Sequence, residues 1–221
     1  MTKRILFLFL ICVMCIGNAQ TNQKVKIDEL VSDYIKELQS QKIDTICVYE
    51  SYCVGYIKTY DEPINGTKET CIDYLTNEPV YVFWKEDGKT FLTKINYCWK
   101  FSKIEIPKDD FWQIYILNKK IIKEEKILSY EYETFENSKK VKYRIAVDHS
   151  CHNDFRLLLN GEIIEKRFHD FVLQEKDQDS SNLNINYKHN ISLKSKLIVD
   201  ILKKITSEAE KNNTFKKIKS R

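Results

Sequence analysis

Between residues 91 and 101 the sequence repeats with a period of two. Phe91, Thr93, Ile95, Tyr97, Trp99 and Phe101 alternate with Leu92, Lys94, Asn96, Cys98 and Lys100. An extended backbone sends successive side chains to opposite sides, so this stretch predicts a strand with one buried face. Just upstream, Val80 to Trp84 is an unbroken apolar and aromatic run, and Glu86-Asp87-Gly88-Lys89 joins the two. A two-residue hairpin loop demands positive φ, which Asp-Gly accepts, so the chain is expected to turn at Asp87-Gly88. Pro79, which has no N–H to give a ladder, suits the strand start.

Two more hairpins follow from the same logic. Tyr130 to Phe135 is expected to pair with Val141 to Val147, and Phe155 to Leu159 with Glu162 to Leu173 around Asn160-Gly161. Ile46 to Tyr60 carries tyrosines at both helical and alternating spacing, and its tyrosine and β-branched content tips it toward strand.

At the ends the period becomes helical. Ile27, Leu30, Val31, Tyr34, Ile35 and Leu38 recur on one side of an amphipathic helix, and Leu193, Leu197, Ile198, Ile201, Leu202 and Ile205 do so behind Ser192, an expected N-cap. A further short helix carrying Phe111, Trp112 and Tyr115 is expected within residues 109 to 126. The fold class is therefore α+β: a mostly antiparallel sheet built from successive hairpins, with helices on one face, bracketed by an N-terminal and a C-terminal amphipathic helix. Residues 175 to 186, polar and charged, are expected to lack order, as is the basic tail 211–221.

The first residues predict export. Lys3 and Arg4 precede an uncharged apolar run from Ile5 to Ile16, and Gly17-Asn18-Ala19 supplies the small residues a signal peptidase reads. The run is shorter than the roughly 20 residues a membrane helix needs. Residues 1–19 thus read as a cleavable secretory signal and 20–210 as a single α+β domain, periplasmic or extracellular, with no membrane span after the signal is removed. The leader takes two positive charges from a whole-chain net charge of +4, leaving a nearly neutral remainder. Such a remainder in that compartment argues against a nucleic-acid partner.

Some chemistries are excluded by the residues they need. The 5 glycines are scattered, so no phosphate loop or dinucleotide fingerprint exists and no nucleotide partner is expected. There is no G-x-S-x-G elbow and no H-E-x-x-H helix. Once Cys12 and Cys15 leave with the leader, the disulfide candidates are Cys47, Cys53, Cys71, Cys98 and Cys151, an odd set that must leave a thiol over. A Cys71–Cys98 bridge across the first hairpin is the pairing expected here.

One polar string stands out: Asp148-His149-Ser150-Cys151-His152-Asn153-Asp154. Its foremost reading is a solvated turn, with Cys151 half of a disulfide and no cofactor. The alternative is a zinc or copper site on His149, Cys151 and His152, with His169 beside Asp170 adding a ligand and an orienting carboxylate. The same residues also fit a Cys-His nucleophile pair. Trp84, Trp99, Trp112 and the tyrosines of residues 49 to 60 belong mainly to the core, although exposed aromatics of that kind stack on sugars or anchor proteins. The function expected from these readings is a non-catalytic binding or interaction domain with a protein or glycan partner. The competing expectation is a metal- or thiol-dependent site.

Overall fold

Two-residue turns set the register of the sheet. A computed structural model describes residues 27–55, 78–96, 99–177 and 182–220, and the protein is mixed helix and sheet. Strand β2 (Val80–Glu86) pairs antiparallel with β3 (Lys89–Ile95), with Glu86 opposite Lys89 and Asp87 and Gly88 in the loop at φ 51° and 77°. Strands β8 (Ser150–Leu159) and β9 (Glu162–His169) close the same way around Asn160 and Gly161, at φ 50° and 79°. Two positive φ values in succession give the turn whose twist matches the flanking strands. Strand β1 (Thr45–Val54) lies between these hairpins, antiparallel to β2 and to β8.

Short strands β4 (Trp99–Phe101), β5 (Ile104–Ile106) and β10 (Lys217–Ser220) complete the sheet, in the order β10-β4-β3-β2-β1-β8-β9 with β5 also on β3. Strands β6 (Glu131–Glu136) and β7 (Lys139–Arg144) form a second, two-stranded sheet. Its faces are largely exposed, and the ion pairs Glu131–Lys142 and Glu133–Lys140, each at 2.5 Å, link its strands.

Helix α1 covers residues 27–40, α2 is Asp110–Glu124, α3 is Tyr187–Ser192 and α4 is Lys194–Lys211, with a 3-10 turn at Asp170–Leu173. Strand alternation divides the core in two. Ile46 and Val48 of β1 pack with Val82, Trp84 and Ile95 against Val31, Ile35 and Leu38 of α1. Cys47 and Tyr49 point the other way and join Phe83, Leu92 and Phe155 under Trp112 of α2 and Ile198 and Leu202 of α4. Helices thus cover both faces, where one face was expected. The cause is visible in β2, whose first five residues are all buried: an unbroken apolar run needs a lid on each side. Each fully buried side chain of this size contributes roughly 1.5–3 kcal/mol.

Other expectations change for local reasons. The strand predicted over 91–101 stops at Ile95, because the Asn96 carboxamide oxygen accepts the Trp99 N–H at 2.8 Å and turns the chain back into β4. Ser192 does not cap α4; it ends α3 and donates to the His189 carbonyl at 2.8 Å. The cap comes from across the fold, where the Glu125 carboxylate accepts the N–H groups of Lys194 and Ser195 at 3.0 and 2.7 Å. A carboxylate suits the positive end of a helix. Within the stretches expected to lack order, Lys217–Ser220 is strand β10 on β4, and Asn184 is buried, donating to the carbonyls of Val172 and Gln174 at 3.1 Å.

Candidate functional site

The polar string is not a turn. Ser150 to Asp154 are the first residues of β8, paired with β1 on one side and, from His152 on, with β9 on the other. Asn153 is buried, where it accepts from the Tyr49 hydroxyl at 2.9 Å and donates to the Asp170 carboxylate at 3.1 Å. A polar residue in the core is tolerated when such partners are supplied, and composition alone cannot show them.

Cys151 faces Cys53 across the β1–β8 ladder and is bonded to it, with Cα atoms 3.9 Å apart. Cys47 is a buried free thiol whose pKa burial pushes up, which makes it inert as a nucleophile. Cys71 and Cys98, the pair expected to bridge, lie outside the described residues.

The four residues expected to share a metal are dispersed. His149 is exposed ahead of β8, its ring so close to Gly55 that a Cβ there would lie 2.2 Å from His149 Cδ2. Cys151 and His152 are adjacent on a strand and so point to opposite faces. His152 does meet His169, its partner across the β8–β9 ladder, with ring centroids 5.8 Å apart. It also stacks on Tyr52 at 5.0 Å, and its Nε2 lies 3.1 Å from Ser150 Oγ. Among the described residues no group of three or more His, Cys, Asp or Glu is placed to hold a metal ion. Burial, followed by the neighbouring His152, lowers the His169 pKa, while Asp170 opposes the shift; His169 Nδ1 is buried without a partner.

The face carrying His152 and His169 continues along the sheet into a groove of about 600 Å³. One wall is α1, through Asp28, Ser32, Ile35, Lys36 and Gln39; the floor is β1, β8 and β9. Register places the floor in rows. Glu50, Asp154 and Arg167 lie side by side, then Val48, Arg156 and Glu165, then Leu158 and Ile163. Rows two residues apart are about 6.6–6.8 Å apart.

Arg156 and Asp154 in this floor differ from their neighbours in how they are engaged. Glu165, opposite Arg156, is taken by Arg167, whose Nε and Nη2 donate to Glu165 Oε1 at 2.8 and 2.6 Å. Arg156, half-buried, makes no hydrogen bond or ion pair among the described residues. Asp154 Oδ2 accepts from the Tyr52 hydroxyl at 3.1 Å, while Oδ1 is buried with no hydrogen-bond partner among the described residues. Burial raises the Asp154 pKa against the opposing pulls of Tyr52, His152 and Arg167. The Tyr52 hydroxyl is in turn pushed up to about 12, by burial first and by Asp154 next.

Ser150 and His152 are at nucleophile-to-base distance, but the Asp154 carboxylate takes its hydrogen bond from Tyr52 and so does not orient the imidazole as a triad requires.

Of the aromatic candidates, Trp84 and Trp112 are core, Trp99 is partly buried beneath the Lys217 ammonium at 4.3 Å, and Tyr52 lines the groove. Sequence reading missed Glu50, Arg156, Glu165 and Arg167. Counting outward from Asn160-Gly161 would have placed Asp154, Arg156, Glu165 and Arg167 on one face. Among the described residues no helix is long and apolar enough to cross a membrane. No family model, curated protein or solved structure matches the chain.

Proposed function

We propose that this chain is an exported, non-catalytic binding domain, periplasmic or extracellular, that holds its ligand in the groove between α1 and the β8–β9 hairpin. The observation that carries the reading is the half-buried Arg156, which has no hydrogen-bond or ion-pair partner among the described residues, in one concavity with the Asp154 carboxylate. A carboxylate or other acceptor arriving at an open guanidinium gains a charge-assisted hydrogen bond of about 1.5–3 kcal/mol. Export is supported by the three-part leader and by the Cys53–Cys151 bridge, since disulfides persist mainly in oxidising compartments. In this reading residues 20–210 are the working domain and the amphipathic helices α1 and α4 bracket it. The partner is a protein or a glycan, and neither nucleic acid nor nucleotide is expected.

Amide NMR of the labelled protein against a panel of peptides and glycans tests the proposal. Shifts clustering at residues 154–158 and 163–167 are expected; hits clustering elsewhere would contradict it, as would turnover of any substrate that His152→Ala abolishes.

The 5.8 Å approach of His152 and His169 favours a second reading, in which zinc or copper binds that pair. Metal analysis of protein purified without added metal decides it. One equivalent, lost in a His152→Ala/His169→Ala double variant, supports the metal site, and substoichiometric metal removes it.

A further inference from the structure

We infer that the groove takes a short extended peptide with free termini, its α-carboxylate on Arg156, its amino group on Asp154 and its C-terminal apolar side chain on Leu158 and Ile163. This rests on the groove being the binding site. Asp154, Arg156 and Leu158 follow one another at alternate positions of β8 on one face, so acid, cation and apolar contact are spaced by about 6.6–6.8 Å steps. A fully extended chain reaches about 3.3–3.6 Å per residue, so the two ends of a dipeptide lie roughly 7 Å apart. The charges of such a ligand match those of the floor in sign and separation.

Competing partners within the fold are already engaged. Arg167 holds Glu165, and Lys36 pairs with Asp33 at 2.9 Å, which leaves Arg156 as the cation with an open fork. A guanidinium presents parallel N–H groups that fit a carboxylate in two-point fashion. The Asp154 carboxylate lines the groove and, among the described residues, accepts only from the Tyr52 hydroxyl, and an ammonium beside it supplies an opposite charge. Beyond Arg156, Leu158 and Ile163 are cross-strand partners, and Ile163 is 61% exposed, an open apolar surface where the C-terminal side chain would lie. The groove volume of about 600 Å³ falls within the range of small-ligand sites. A polyanion would meet Glu50 and Glu165 in the same floor, whereas a zwitterion brings both signs.

The test uses protein purified after export, with four probes: the dipeptide Ala-Leu, its N-acetylated form, its C-terminal amide and chitotetraose. Calorimetry measures affinity, and amide NMR reports both the site and the folded state of each variant. Ala-Leu is expected to shift Asp154, Arg156 and Leu158, with either blocked form at least about tenfold weaker, the scale of a charge-assisted hydrogen bond. Arg156→Gln should bind the acid and the amide alike, Asp154→Asn should stop distinguishing the acetylated form, and Arg156→Lys should fall between wild type and Arg156→Gln. Equal affinity for blocked and free peptides would overturn the inference. Chitotetraose shifting the same residues while Ala-Leu does not would overturn the peptide ligand and leave the groove standing. Silence of the groove to every probe would remove both.

Discussion

Replacing Cys53 and Cys151 together by alanine removes a bridge between residues 98 apart in sequence. In the unfolded chain that bridge closes a loop of about 100 residues, whose lost freedom corresponds to about 4.7 kcal/mol. In the folded state little is given up, because β1 and β8 stay paired from Thr45–Leu159 to Val54–Ser150 and Cys53 is exposed at the end of that ladder. The double variant should therefore lose about 3–5 kcal/mol of stability, mainly through the unfolded state, and retain its fold. Urea unfolding followed by the fluorescence of the buried Trp84 and Trp112 measures this. With a denaturant slope of about 2 kcal/mol/M, the midpoint should fall by about 2 M, and the slope should rise as the freed chain exposes more surface. A loss below about 1 kcal/mol with an unchanged slope would refute the assignment of the bridge as a major constraint.

Asn153→Ala strands the buried Tyr49 hydroxyl and takes the donor from a part-buried Asp170 oxygen, so a loss of about 1–3 kcal/mol is expected in the same unfolding assay. Glu125→Ala uncaps α4 and should cost about 1–2 kcal/mol, with amide exchange accelerating first at Lys194 and Ser195. His169 and Asp154, both on the groove face, act in opposite senses with pH. His169 titrates below its ordinary 6.5 when folded, so its neutral form supports stability above that value and the support is lost as pH falls. Asp154 titrates above its ordinary 3.8 when folded, so its contribution favours the fold at low pH and is lost as pH rises through the raised pKa. Asp154→Asn should accordingly raise Tm at neutral pH and converge on wild type in acid, while weakening an amine-bearing ligand. Calorimetric scans from pH 3 to 8 follow both trends, and equal melting of this variant and wild type at pH 7 would refute the assignment for Asp154.

The parts of the fold legible in the sequence are those governed by local rules. Asp87-Gly88 and Asn160-Gly161 announce their turns because two successive positive φ values restrict the residues allowed, and Phe111, Trp112 and Tyr115 mark the buried side of α2 by helical spacing alone. The parts that were hidden depend on partners distant in sequence. The string Asp148 to Asp154 looks solvated until the Tyr49 hydroxyl reaches Asn153 from β1, and Ser192 looks like a cap until Glu125 arrives from the residue after α2. The break after Ile95 is marked by an Asn96 hydrogen bond inside an otherwise unbroken alternation. The groove was hidden for the same reason: Lys36 of α1, Glu50 of β1 and Arg156 of β8 meet only once three separate segments are assembled. Its charge pattern is visible in the Asn160-Gly161 hairpin, but its concavity is not.

Export comes before every property proposed for the groove, since it decides which ligands the domain meets and whether Cys53 and Cys151 can remain joined. Intact-mass and disulfide-mapping spectrometry on protein expressed with its own leader in a bacterium that has a periplasm addresses it directly. The predicted product begins at Gln20 and yields a peptide pair linked through Cys53 and Cys151. Cytosolic protein that retains Met1, with both of those cysteines open to alkylation, would contradict it.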